Sequence, residues 1–203
     1  MLDVASYRLA THLGLAFVIL GCLVWFSWQL HCSEKELVQA RRNKENIFIK
    51  LTTLLLALAF VQILSGALVA GIDAGRGYID WPLMNGEFIP SESFDYVPLW
   101  SNFFENPALV QFNHRLSGYI LILFVLYSWF KFRNSSNQSL KSYSNWVLLA
   151  ILGQVVLGVI TVLYAAVWYI AILHQFSAII LVSLVLLLKF EANYPATQFT
   201  KTS

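Results

Sequence analysis

"WVLLAILGQVVLGVITVLYAAVWYIAILHQFSAIILVSLVLLL", Trp146 to Leu188, contains no charged side chain. The run is about twice the ~20 residues that cross a bilayer as a helix. It therefore reads as two spans joined by a tight hairpin near Tyr164–Trp168, although no Gly or Pro marks the turn. Working outward from it, further long charge-poor segments stand at Tyr7–Leu30, Lys50–Ile72 and Leu109–Phe130. With Trp146–Tyr164 and Trp168–Leu188 they make five expected transmembrane helices. The chain as a whole agrees: it is 58% hydrophobic and only 12% charged, against about 25% charged in a soluble domain. A net charge of +2 gives no reason to expect a nucleic-acid partner. The partner implied by composition is membrane lipid.

Orientation follows from the connecting segments. The linker after the first span carries Lys35, Arg41, Arg42, Lys44 and Lys50, and Lys131, Arg133 and Lys141 surround the linker after the third. The tail carries Lys189 and Lys201. The long segment Asp73–Ala108 has one basic residue, Arg76, against Asp73, Asp80, Glu87, Glu92, Asp95 and Glu105. The positive-inside rule puts the basic linkers and the C-terminus in the cytoplasm or matrix, and the N-terminus and long loop outside. The start of the chain has neither the basic n-region nor the small-residue cleavage site of a signal peptide. Cys22 and Cys32 lie in the first span and at its inner end, where no disulfide is expected.

Three of the four histidines fall at one depth on this topology. His12 in span one, His114 in span three and His174 in span five all lie about a turn and a half from the outer end. His31, at the inner face, reads as a solvated interfacial side chain. Ionisable groups inside a membrane segment are costly and tend to be functional, and neutral imidazole is the commonest metal ligand. Zinc would want three or four ligands, and no thiol or carboxylate stands in a span at that depth. Two imidazoles from facing helices suit a heme iron instead. Gln111, His114, Gly118 and Ile122 share one helical face. Gly118 suits either a flat ring or close helix packing. Arg115, at the aqueous end, is placed to pair with a propionate, with Arg76 a second candidate. The aromatic-rich outer loop reads either as a lid over the heme edge or as an interfacial belt.

The chain also repeats itself. "YRLATHLGLA" (Tyr7–Ala16) echoes "YIAILHQFSA" (Tyr169–Ala178), and "QILSG" (Gln62–Gly66) echoes "QVVLG" (Gln154–Gly158). Duplicated bundles, each closing with a histidine helix, would give such echoes. The expected fold is an all-α polytopic membrane protein with five transmembrane helices, one orphan helix plus a four-helix bundle. Residues 1–33 are expected to be the last helix of an incomplete N-terminal bundle, 34–48 a basic inner loop, 49–190 the four-helix heme-binding bundle with outer loop 73–108, and 191–203 an inner-side tail.

"YRLATHLGLA", "SGALVAGIDAGRGYIDWPLMNGEFIP", "FENPALVQFNHR" and "LHQFSA" together resemble the heme A synthase family over almost the whole chain, in order. "WPLM" is closer to alphaproteobacterial members than to mitochondrial ones. The family has eight helices in two bundles, and this chain begins where the fourth helix begins, so a C-terminal portion is expected. The resemblance implies a heme b held by His114 and His174. It implies that His12 is the remaining ligand of the substrate pocket, where the C8 methyl of heme O is oxidised to a formyl group. The family's first-bundle motif has a glutamate three residues before its histidine; the matching residue here is Gln111, as suits a copy that does no chemistry. Heme O as substrate, an electron donor such as a ferredoxin, heme O synthase and a homo-oligomer are the partners implied. The location implied is the bacterial inner membrane, with the mitochondrial inner membrane as alternative. Alone, the chain is expected to be inactive because that pocket is incomplete. The competing class is a membrane b-type cytochrome that carries electrons without oxygenation. Such proteins often place histidine pairs near both membrane faces, whereas here they cluster at one. A transporter would more often carry an acidic site inside a span, and none is present.

Overall fold

A computed structural model describes residues 6–195. Five helices are long and apolar enough to cross a membrane. They are α1 (Ser6–Leu30), α3 (Asn46–Gly71), α5 (Pro107–Phe132), α6 (Gln138–Leu163) and α7 (Trp168–Asn193). Two short helices, α2 (Glu34–Arg42) and α4 (Asn102–Glu105), lie between them. No strand occurs among the described residues; a single bridge pairs Met84 with Glu87.

Polar caps extend the helices beyond the apolar segments. α6 starts two turns before Trp146, because the Asn137 side chain accepts from the backbone N–H groups of Ser139 and Leu140 at 2.8 and 3.3 Å. α5 starts with Asn106 as N-cap and Pro107 at the first helical position. Within the basic linker, Ser33 and Glu36 form a reciprocal capping box that starts α2. The backbone hydrogen bond from Ser33 holds the Glu36 carboxyl below its usual range.

The hairpin between α6 and α7 has a stop signal that carries no glycine. Ala165 and Ala166 both adopt left-handed backbone, at φ 52° and 51°. The Ala166 N–H bonds the Thr161 carbonyl at 2.8 Å and the Ala165 N–H bonds the Val162 carbonyl at 3.0 Å. These are the two bonds of a Schellman motif, which satisfies the last carbonyls of α6.

α3, α5, α6 and α7 pack in a closed ring, each against its two neighbours, and α1 lies outside against α3 and α7. α1 is therefore not detached: Phe17 is buried in the common core, with Leu13 and Leu20 packed beside it. The core fills the half of the bundle nearer the basic linkers, with Leu51, Leu55 and Ala59 meeting Val125, Val147, Ile151 and Val185. At the other half, nearer the long loop, the side chains meeting across helices include Gln62, His114, Gln154 and His174.

The loop is folded down onto the start of α5. Arg115 donates to the carbonyls of Asp80 (3.0 Å), Leu83 (2.9 Å) and Tyr78 (2.9 Å). Gln111 donates to Tyr78 as well, at 3.0 Å. Trp81 Nε1 reaches the Tyr119 hydroxyl at 3.0 Å, and Asn106 Nδ2 donates to the Glu92 carbonyl at 2.7 Å. The Tyr78 phenol donates to the Glu92 carboxylate, whose pKa that bond lowers. Burial, reinforced by the Glu92 contact, raises the phenol's own pKa.

Candidate functional site

Two imidazoles occupy the loop half of the bundle, His114 and His174, each about two turns into its helix, α5 and α7. Both are half-buried. Each is met by a Gln-x-x-x-Gly segment of the helix beside it. On α3, Gln62 Nε2 donates to the His114 carbonyl at 3.2 Å, and a Cβ at Gly66 would stand only 2.9 Å from the ring's Cε1. On α6, Gln154 Nε2 donates to the His174 carbonyl at 3.2 Å, and a Cβ at Gly158 would stand 3.2 Å from that ring's Cε1. In each pair the glutamine fixes the backbone of the histidine and the glycine makes room for its ring.

A serine three residues after each histidine completes the correspondence. Ser117 Oγ lies 3.1 Å from the His114 carbonyl, and Ser177 Oγ lies 2.9 Å from the His174 carbonyl. Around His114 the network goes further. Ser65 Oγ lies 3.0 Å from Nδ1, Gln62 Nε2 lies 3.1 Å from Nδ1 and 3.4 Å from Nε2, and Ser117 donates to Gln62 Oε1 at 2.5 Å. Around His174 it stops short: Nδ1 of His174 and Oε1 of Gln154 are both buried without a partner.

The other residues singled out from sequence take varied places. Gly118 faces the Gln62 amide, 3.3 Å from where a Cβ would be, so it admits the glutamine that holds His114. Gln111 is buried, with Oε1 unpartnered. Arg115 is buried and spends three N–H groups on loop carbonyls, leaving Nε without a partner. Arg76 makes an exposed pair with Asp73 at 3.8 Å, a contact of small energetic value. His12 lies on the exposed side of α1. His31 bonds the Ser27 carbonyl at 2.6 Å. Gln62, Ser65, Gly66, Gln154 and Gly158 were not read from sequence as site residues, although the Gln-x-x-x-Gly echo contains all five.

The donor set suits one kind of group. No group of three or more His, Cys, Asp or Glu side chains able to hold a metal occurs among the described residues. Two imidazoles alone are a poor zinc site but are the residue types that would hold a heme iron whose other ligands come from a porphyrin. A buried His174 Nδ1 with no partner and two glycines against the rings fit a side chain held for a ligand better than one satisfied within the protein.

The profile of the COX15-CtaA family, described as "Cytochrome oxidase assembly protein", matches residues 1–186. The chain is 54% identical over 195 residues to "Heme A synthase" of Dinoroseobacter shibae, a match covering 96% of this chain and 51% of that protein. It is 55% identical to the Ruegeria pomeroyi protein of the same name and 50% to that of Paracoccus denitrificans, each over 195 residues, 96% of this chain and 51% of the relative. The chain thus spans about half the length of the curated relatives it matches. No solved structure gives a significant match.

Proposed function

This chain belongs to the COX15-CtaA family of cytochrome oxidase assembly proteins, and we propose that it supplies the heme-holding half of a heme A synthase. The observation that carries the proposal is the pair of matched cradles, Gln62–Gly66 against His114 and Gln154–Gly158 against His174. Residues 49–190 form the bundle that would hold a heme b, with His114 and His174 as the residues that would bind its iron. A heme b held this way supplies one-electron transfer. The protein's own part is to fix the two imidazoles through their backbone carbonyls and to keep space for them with Gly66 and Gly158.

A heme held by both imidazoles would supply electron transfer and not oxygen binding. Oxidation of the heme O methyl group therefore belongs to a second pocket, to which α1 contributes His12. Arg115 acts first as the clamp that holds the Asp73–Ala108 loop over the loop end of the bundle. Its Nε–H and its second Nη2–H stay available for a propionate, and Gln111 and Gly118 serve the same end of the bundle, one anchoring the loop and the other admitting Gln62. The loop is the lid over the heme edge. Electrons come from a separate donor such as a ferredoxin, and heme O is handed over by heme O synthase. The bacterial inner membrane is the expected site, with the N-terminus and loop outside and the basic linkers in the cytoplasm.

Complementation tests the division of labour. In a strain lacking heme A synthase, the 203-residue chain expressed alone should give no heme A. Co-expression with the first three helices of a family member should restore it. Heme A made by the chain alone would place the catalytic pocket in the wrong half.

A further inference from the structure

The two halves of the bundle differ in polarity at one position of their repeated segment. Gln62-Ile63-Leu64-Ser65-Gly66 and Gln154-Val155-Val156-Leu157-Gly158 align glutamine on glutamine and glycine on glycine. Both glutamines and both glycines make equivalent contacts to a histidine, so the register puts Ser65 and Leu157 in equivalent places. Ser65 stands beside Nδ1 of His114. Leu157 offers no polar atom, and Nδ1 of His174 is buried and unpartnered.

The direction of the Ser65 bond follows from its other contact. Its hydroxyl lies 2.9 Å from the Gln62 carbonyl one turn back and donates its only proton there. The oxygen then has a lone pair for the imidazole. Nδ1 also faces the Gln62 amide nitrogen at 3.1 Å. When Nε2 ligates a metal and Nδ1 carries the proton, Ser65 Oγ is the acceptor beside it, while the Gln62 amide donates to the His114 carbonyl.

We propose that Ser65 is a positioning residue that sets the tautomer and donor strength of His114, and that Leu157 leaves His174 the weaker donor of the pair. This rests on the heme-holding reading above. A hydrogen-bond acceptor on the far nitrogen fixes the ring and raises its basicity as a ligand. A more basic axial ligand favours ferric over ferrous iron and lowers the midpoint potential. The asymmetry lies in the one position of the repeat where a polar residue aligns with an apolar one, and it can be reversed from either side.

The test is a redox titration of the purified chain reconstituted with heme b, with the visible spectrum recorded at each potential. Ser65→Ala should keep a low-spin spectrum and shift the midpoint upward. Ser65→Thr, which keeps the hydroxyl, should return it towards wild type. Leu157→Ser should shift it downward by giving His174 the acceptor it lacks. If the wild-type chain binds no low-spin heme, the heme-holding reading and this inference both fail. If it does, and Ser65→Ala and Leu157→Ser leave the midpoint where it was, the inference alone is overturned. An equal upward shift in Ser65→Ala and Ser65→Thr would mean packing, not the hydroxyl, is responsible, and would overturn it as well. Leu157→Ser is read independently of how well the Ser65 variants fold.

Discussion

The α3–α5 pair and the α6–α7 pair present a histidine in the same way and are joined in opposite ways. Both use a Gln-x-x-x-Gly segment on the incoming helix and a His-x-x-Ser segment on the outgoing one. Between α3 and α5 the chain makes a long loop tied back onto α5 by Arg115 and Gln111. Between α6 and α7 it turns within four residues on two left-handed alanines. The cradle therefore does not depend on the connection. It depends on register between neighbouring helices, and the connections differ freely: one is a long loop docked on α5, the other only closes the hairpin.

The largest effect expected from breaking this contrast comes from Arg115→Leu. It leaves three loop carbonyls without a buried cationic donor, and hydrogen bonds to a charged group contribute on the order of 1.5–3 kcal/mol each. A loss of at least ~3 kcal/mol in the stability of the docked loop is expected. Limited proteolysis should then cut within residues 73–108 while the α6–α7 hairpin stays protected. Equal exposure of both connections would mean that Arg115 supports the whole bundle.

Next in size is the effect of filling the two glycine cradles. A methyl group at Gly66 would lie 2.9 Å from the His114 ring, and one at Gly158 would lie 3.2 Å from the His174 ring. Overpacking of this kind costs about 1–3 kcal/mol. Gly66→Ala should destabilise the chain more than Gly158→Ala in a denaturation series in detergent, and should displace its histidine further. The reverse order would show that the two cradles differ in rigidity as well as in space.

Smaller, and of opposite sign, is Ala165→Gly. An alanine at φ 52° is strained where glycine is not, so the substitution should stabilise by up to ~1 kcal/mol. It should do so without altering the loop or the His114 side. Ala166 is the poorer target, because its methyl packs near Gly75, 3.0 Å from where a Cβ there would stand. A destabilised Ala165→Gly would remove the strain argument.

The smallest effect is on pH. Hydrogen bonding by the backbone of Asn85 holds the Asp80 carboxyl below its usual range, and the Tyr78 phenol does the same for Glu92. Groups with a lowered folded pKa stabilise fully above the ordinary carboxylate range, about 4, and lose that contribution as pH falls through the lowered values. Acid should therefore loosen the loop between α3 and α5 before it affects the hairpin. Hydrogen exchange across pH 6 to about 3 would check the order.

Much of the architecture was legible in the sequence. The first span reads Tyr7–Leu30 in both sequence and structure, and the alternation of basic and acidic connections matches a five-helix serpentine. Hydropathy missed the polar first two turns of α6, which the Asn137 cap starts, and it missed α2, a short helix in a charged linker. It placed the hairpin correctly but without its mechanism, because alanines occupy the left-handed positions that glycine usually marks. At the site, the shared depth of His114 and His174 was readable from span boundaries. The roles of Gln62, Ser65 and Gly66 were not, since they depend on which residues of α3 meet α5. The sequence places Arg115 to meet a heme propionate, and the structure adds partners that reading does not contain. Its partners in the structure are backbone carbonyls of a loop that periodicity says nothing about.

The most direct test of the central claim is the spectrum of the chain purified in detergent and reconstituted with heme b, recorded for wild type, His114→Ala, His174→Ala and the double variant. One low-spin, six-coordinate heme per chain is expected in the wild type, converted to high-spin or lost in each single variant. A low-spin spectrum that survives in the double variant would contradict the assignment of these two histidines as its ligands.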